Sequence, residues 1–160
     1  MRLGVISDTH GHVANTRAAL HLLDSLAVEQ LIHCGDIGSP EVVTILANWP
    51  THYVFGNCDA DLDGLRAAIA AAGGTCHERF GAETWEGRKV AWLHGDDSRL
   101  LEETTHSGEY DLVCHGHTHV AAAGQHGRTF VLNPGALYRA NPHTLAIVEL
   151  PELTVTTLKV

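Results

Sequence analysis

The sequence predicts an α/β domain with α+β character, and three observations carry that prediction. In the first half, short apolar runs alternate with amphipathic stretches of helical length. The second half turns to short β-type runs separated by tight turns. Several of the apolar runs end in Asp, His, Asn and Gly rather than in generic polar residues. Apolar residues make up 44% of the chain and charged residues 18%, which suits a packed core and not a disordered segment. At 160 residues, with no repeat, linker or low-complexity tract, the expectation is a single domain over residues 1–160.

Met1 to Ser7 reads as the first strand. Val13 to Leu26 places Leu20, Leu22, Leu23 and Leu26 at helical spacing, with Asn15 or Thr16 as candidate caps. Leu31 to Cys34 is a second strand. Ser39-Pro40-Glu41 opens a helix to about Asn48, with Pro at its first position. His52 to Phe55 is a third strand, and Asp61 to Ala72 a helix stopped by Gly73-Gly74. Further strands are expected over 75–77, 80–85, 89–93, 110–114, 120–123, 128–132, 145–150 and 154–158. A helix capped by Ser98 runs to Thr105, and turns fall at Gln125-His126-Gly127, Asn133-Pro134-Gly135 and Pro151-Glu152. Trp49, Trp85 and Trp92 read as core.

Net charge is −9 with His neutral, which disfavours long nucleic acid and anionic membrane surfaces. No apolar run approaches the ~18–20 residues of a membrane span, and no signal peptide is evident at the N-terminus. The four cysteines show no C-x-x-C pair, so neither a disulfide framework nor a thiolate zinc site is signalled, and a cytoplasmic setting is expected. Cys34 and Cys114 each end an apolar run and read as buried fillers. Leu153 to Val160 could pair within a sheet or with another subunit, so a homo-oligomer stays open.

The chemistry concentrates at five strand exits: Asp8-Thr9-His10, Gly35-Asp36, Gly56-Asn57, His94-Gly95 and Gly116-His117-Thr118-His119. Residues two apart on extended backbone point the same way, so Asp8 with His10, and His117 with His119, can each reach one site. In strand–helix folds the C-terminal strand ends form one rim where ligands bind. A shared rim would gather Asp8, His10, Asp36, Asn57, His94, His117 and His119: oxygen and nitrogen ligands without thiolate, enough for two metals sharing one carboxylate. Asp, Asn and Gly are turn residues in any case, but five ordered coincidences exceed turn chemistry. His12 and His115 read as rim residues that orient ligands rather than bind metal.

These motifs, in this order, resemble the calcineurin-like metallophosphoesterases, and the Asn133-Pro134-Gly135 turn is similar to that of the small YfcE-like phosphodiesterase branch. The resemblance implies a four-layer αββα sandwich, two mixed β-sheets flanked by helices. It implies that Asp8, His10 and His119 bind one metal, that Asn57, His94 and His117 bind a second, and that Asp36 bridges them. It implies a metal-dependent phosphoesterase, a phosphodiesterase before a phosphomonoesterase. Its substrate would be a small phosphoester, cleaved by in-line attack of a hydroxide shared by the metals. Ligands of this type favour Mn2+, taken first, with Ni2+, Fe2+, Co2+ or Zn2+ as alternatives over Mg2+ or Ca2+. The alternative is a protein-interaction scaffold like the retromer subunit of similar fold, with weak or no catalysis.

Three positions depart from the wider family. Cys58 stands where larger members carry a His that protonates the leaving group, with the counterpart of Asp59 orienting it. A thiol is the weaker match to that role, and for Asp59 the competing expectation is a cap of the 61–72 helix. Asp96 adds a carboxylate where relatives often have His, and Ala136 replaces a Ser that could touch phosphate. Arg99 and Arg139 are candidate phosphate clamps, with an ordinary surface position as the first expectation for each.

Overall fold

The computed structural model describes residues 1–160. One sheet contains β1 (Arg2–Ile6), β2 (Gln30–His33), β3 (Thr51–Tyr53), β4 (Thr75–Cys76), β10 (Thr144–Glu149) and β11 (Thr154–Lys159), in the order β11-β10-β1-β2-β3-β4. β1 to β4 pair in parallel, while β10 is antiparallel to both β1 and β11. The other sheet contains β5 (Phe80–Trp85), β6 (Arg88–Leu93), β7 (Leu112–Cys114), β8 (Ala122–His126) and β9 (Thr129–Asn133), in the order β5-β6-β7-β9-β8. There β6, β7 and β9 are parallel. α1 (Val13–Ser25), α2 (Pro40–Ile45) and α3 (Leu62–Ala71) cover the first sheet, and α4 (Ser98–His106) covers the second. This is the four-layer sandwich that the resemblance implied.

Strand alternation sorts the core. Leu3, Val5, Ile32, Cys34 and Val54 of the first sheet meet Val90, Trp92, Leu112, Cys114 and Leu132 of the second. Ile6, Leu31, Tyr53 and Phe55 turn the other way, against Leu23, Val42, Val43, Leu65 and Ile69 beneath the helices. Each such aliphatic side chain contributes about 1.5–3 kcal/mol when fully buried. Trp92 is wholly buried, and its truncation to Ala would cost about 3–5 kcal/mol. β11 pairs along its length with β10, so the C-terminal run is satisfied within the chain.

The helix caps differ from expectation. α1 is capped by His12, whose ring accepts from the Asn15 amide, not by Asn15 or Thr16. α3 is capped by Asp61 through the Gly64 amide, and α4 by Asp97 through the Leu100 amide rather than by Ser98. A cap must sit one place before the first turn with its acceptor aimed back at the free amides. Composition narrows that position only to a few residues. Ser39 precedes Pro40 as expected, but its side chain makes no capping bond. β8 begins and ends later than 120–123: His126 pairs with Thr129, and the turn is Gly127-Arg128.

Candidate metal centre

Because β1, β2 and β3 run parallel, and so do β6 and β7, the exits carrying the candidate ligands emerge at one rim. Five of those residues have left-handed backbones: Asp8 (φ 54°), His10 (45°), Asp36 (53°), His117 (69°) and His119 (60°). Asp and His are among the non-glycine residues that tolerate this region best. Each still costs on the order of 1–3 kcal/mol, a strain that persists where surrounding structure enforces it. Close packing enforces it here. A Cβ on Gly56 would lie 2.0 Å from Asp36 Oδ1, and one on Gly116 would lie 1.9 Å from Ser7 Oγ and 2.6 Å from Asp8 Oδ2. Only glycine at these two positions lets the loops close on the two carboxylates.

Asp8, His10 and His119 form one cluster and Asp8, Asp36 and His94 another. His119 Nε2 is 3.1 Å from Asp8 Oδ1 and 3.3 Å from His10 Nε2. Asp36 Oδ2 lies 3.6 Å from His10 Nε2 and 3.4 Å from His94 Nε2, so one oxygen faces both groups. Asn57 Oδ1 is 3.1 Å from His94 Nε2. His117 stands beside the cluster: its amide donates to Asp8 Oδ2 at 3.1 Å, and its exposed ring packs edge-on against His94 with centroids 5.1 Å apart. Cys58 Sγ falls within reach of His10 and Asp36, and its amide donates to Asp36 Oδ1 at 2.8 Å.

The donor set fits a metal. His94 Nδ1 donates to the Cys34 carbonyl at 2.8 Å. Its Nε2 then carries a lone pair aimed at two oxygens, Asn57 Oδ1 and Asp36 Oδ2. His119 Nδ1 approaches the Arg139 carbonyl at 3.4 Å, and its Nε2 faces Asp8 Oδ1, which is buried and has no hydrogen-bond partner. Acceptors facing acceptors in a buried pocket call for a cation between them. Without one, a proton substitutes. Burial opposes charge on His94, but the Asp36 carboxylate and the Cys34 carbonyl raise its affinity for a proton above the ordinary imidazole value. Burial likewise opposes charge on Asp36, yet His94 and the Cys58 amide hold its carboxyl well below the usual range. Burial lowers His10, against the pull of Asp36 and Asp8.

Other expected residues sit apart. Asp59 caps no helix and has no oxygen free: Oδ1 accepts from the Gly38 amide and Oδ2 from the Gly56 amide, both at 2.8 Å. It ties the Asp36 loop to the Asn57 loop. Asp96 does not face the site as an unpaired charge, because Arg79 binds it at 2.5 Å. Ala136 is fully buried. Arg99 pairs with Glu103 on α4, whereas Arg139 has no carboxylate partner and lies 5.5 Å over the Tyr138 ring, which in turn stacks on His12. His115 borders a groove of about 390 Å³ between α4 and β8, outside the ligand cluster.

Sequence reasoning missed His33 and Arg79. His33 is wholly buried: Nδ1 accepts from the Gly35 amide at 3.2 Å and Nε2 donates to Thr9 Oγ1 at 2.9 Å. Thr9 lies between Asp8 and His10, so this ring supports the first ligand loop. A buried His at a strand's last residue was its only signal.

The family model for the calcineurin-like phosphoesterase superfamily domain matches residues 1–152. Phosphodiesterase MJ0936 of Methanocaldococcus jannaschii is 31% identical over 138 residues, covering 84% of this chain and 83% of that protein. The solved structure of an archaeal phosphodiesterase superposes with a TM-score of 0.93 at 28% identity, covering all of both chains. Vps29 of Chaetomium thermophilum superposes at 0.75 with 15% identity, over 100% of this chain and 95% of that one, which shows a shared fold alone. With its motifs in order, its four-layer fold and a family match over nearly its whole length, the chain belongs to the calcineurin-like phosphoesterase superfamily.

Proposed function

We propose that this protein is a dimetal phosphodiesterase acting on a small phosphoester. The observation that carries the proposal is Asp36 Oδ2, one carboxylate oxygen within 3.6 Å of His10 Nε2 and 3.4 Å of His94 Nε2. In this reading Asp8, His10 and His119 hold one ion, and Asn57 and His94 hold the other, joined by His117 after rotation of its exposed ring. Asp36 is the bridge. Mn2+ is the first expectation, and Ni2+, Fe2+, Co2+ and Zn2+ suit the same ligands. Bound there, two divalent ions would supply activation of water at neutral pH and a clamp on the phosphoryl oxygens for in-line displacement.

The chain's own residues supply the rest. Asp8 and Asp36 return roughly −2 against about +4 from two ions, so the rim stays positive enough for an anionic ester despite the acidic surface. The Cys34 and Arg139 carbonyls fix the His94 and His119 rings so that Nε2 faces inward. The Cys58 thiol is exposed at the rim, and burial together with Asp36 raises it above its ordinary value. A thiol of ordinary acidity is largely protonated at neutral pH and can donate to a departing oxygen, though less well than an imidazolium. Such an acid suits substrates with good leaving groups. Asp59 acts through the loops and not as a proton carrier.

No helix is long and apolar enough to cross a membrane. The cysteines are all free thiols, in keeping with a reducing, cytoplasmic setting, and the family match over residues 1–152 is in keeping with one domain over 1–160. The fold is shared with Vps29, so fold alone selects no activity. A ligating side chain at each of the seven positions favours catalysis over a scaffold. The test is hydrolysis of bis-p-nitrophenyl phosphate and p-nitrophenyl phosphate by metal-stripped protein with Mn2+, Ni2+, Zn2+ or Mg2+ restored. Diester cleavage that returns with Mn2+ is expected, and no hydrolysis with any metal would overturn the assignment.

A further inference from the structure

Two loops carry the second half of the centre, and they come from different sheets. Asn57 follows β3 of the first sheet and His94 follows β6 of the second. Their side chains must meet across the gap, as Asn57 Oδ1 and His94 Nε2 do at 3.1 Å. A single side chain outside the ligand set spans the same gap. Arg79 donates from Nη1 to the Phe55 carbonyl at 3.3 Å and from Nη2 to Asp96 Oδ2 at 2.5 Å. Phe55 lies two residues before Asn57, and Asp96 two residues after His94.

We propose that Arg79 is a positioning residue for the second metal, clipping the Asn57 loop to the His94 loop through the Phe55 carbonyl and the Asp96 carboxylate. The inference rests on the dinuclear reading above. Its neighbours leave Arg79 free for this task. Arg66 takes both Glu78 carboxylate oxygens at 2.8 Å and lies 5.5 Å over the Phe55 ring. The Glu78 carbonyl accepts from the Phe55 amide at 2.6 Å, with Glu78 itself left-handed at φ 58°. The 77–79 segment is thereby pinned beside Phe55, and Arg79 is the side chain left to reach the other sheet. The pair also settles the extra carboxylate: Asp96 at the rim would weaken the field that holds a phosphate, and the guanidinium cancels it. A Lys matches this pair of acceptors less well, because its compact ammonium lacks the planar fork that reaches both at once.

The test is Mn2+ titration of the metal-free protein by calorimetry, which reads metal binding independently of hydrolysis. In Arg79→Met one ion should bind as in the wild type. The other, the same ion that Asn57→Ala weakens, should bind at least about tenfold less tightly. Arg79→Lys should recover part of that loss, and the swapped Arg79→Asp/Asp96→Arg protein more than either single change. Arg79 is half exposed, so the metal-free Arg79→Met protein should melt within a few degrees of the wild type. Wild-type affinity for both ions in Arg79→Met overturns the proposal, and so does equal weakening of both, which marks a general loss of structure. A wild-type protein that binds one ion overturns the dinuclear reading and this inference with it. Two bound ions with no hydrolysis would sink the phosphodiesterase assignment while leaving the role of Arg79 supported.

Discussion

In the proposed dinuclear centre, one half around Asp36 would draw Asp8, His10 and His119 from buried or half-buried positions, while the other would draw Asn57 and His117 from exposed loop tips beside the buried His94. The first half is underwritten by backbone. Its three ligands are left-handed, as His117 of the other half is too, but here the Asp8 and His10 amides also donate to the Gly35 and Asp36 carbonyls, and the His33–Thr9 bond lies beneath them. The second half relies on side chains that cross between sheets, Asn57 to His94 and Arg79 to Asp96. On the dinuclear reading, the difference teaches that a preformed subsite and a subsite assembled by loop contacts would share one bridging carboxylate. The first should bind its ion tightly and the second should be the adjustable one.

The harshest way to break this picture is Asp36→Asn, which removes the group common to both halves. Diester hydrolysis should fall by at least about 100-fold, with both Mn2+ affinities reduced. A loss confined to one ion would mean that Asp36 is not shared. Asp8→Asn and Asn57→Ala then sharpen the contrast. The first should lower activity even at high Mn2+, whereas the second should be rescued in large part by excess Mn2+, because Asn57 is a neutral ligand on an exposed loop. Equal rescue of both variants would erase the distinction between the halves.

A pH experiment probes the support under the first half. Burial pushes the His33 ring down from 6.5 to about 3, with His94 adding to the shift. Its two nitrogens already accept from Gly35 and donate to Thr9, so a second ring proton would face the Gly35 amide. The unfolded chain therefore takes up the proton first as pH falls. The stability contributed by neutral His33 is complete above about pH 6.5 and declines steadily toward pH 3, by an amount on the order of a few kcal/mol. Denaturant unfolding of metal-free protein from pH 7 to pH 4 should show this decline, and His33→Gln should flatten it; identical slopes would remove His33 from the account. The smallest expected effect is at Cys58. Cys58→Ser should change p-nitrophenyl diester hydrolysis by less than about threefold, and it should slow esters with poorer leaving groups more. A uniform loss across leaving groups would assign the thiol a structural part instead.

The exits were legible because they lie where apolar runs stop, and a strand end fixes where the following residues point. Asp8, His10, Asp36, Asn57, His94 and His119 gather on that basis, and the inter-sheet core follows from alternation in runs such as Leu3-Gly4-Val5-Ile6. Less legible were features that depend on backbone angles or on carbonyls. Asp59, Asp61 and Asp97 were each eligible for several turn and cap roles, and only φ and ψ decide which amides an Asp meets. Arg79 left no signal, since one of its two partners is the backbone carbonyl of Phe55, 24 residues away and without side-chain identity. Asp96 looked like an intrusive charge because its partner was invisible.

The most direct test of the shared carboxylate is electron paramagnetic resonance of the protein loaded with two equivalents of Mn2+. The wild type should give the spectrum of a magnetically coupled ion pair, replaced by that of isolated ions in Asp36→Asn. Isolated-ion signals from the fully loaded wild type would contradict a shared carboxylate.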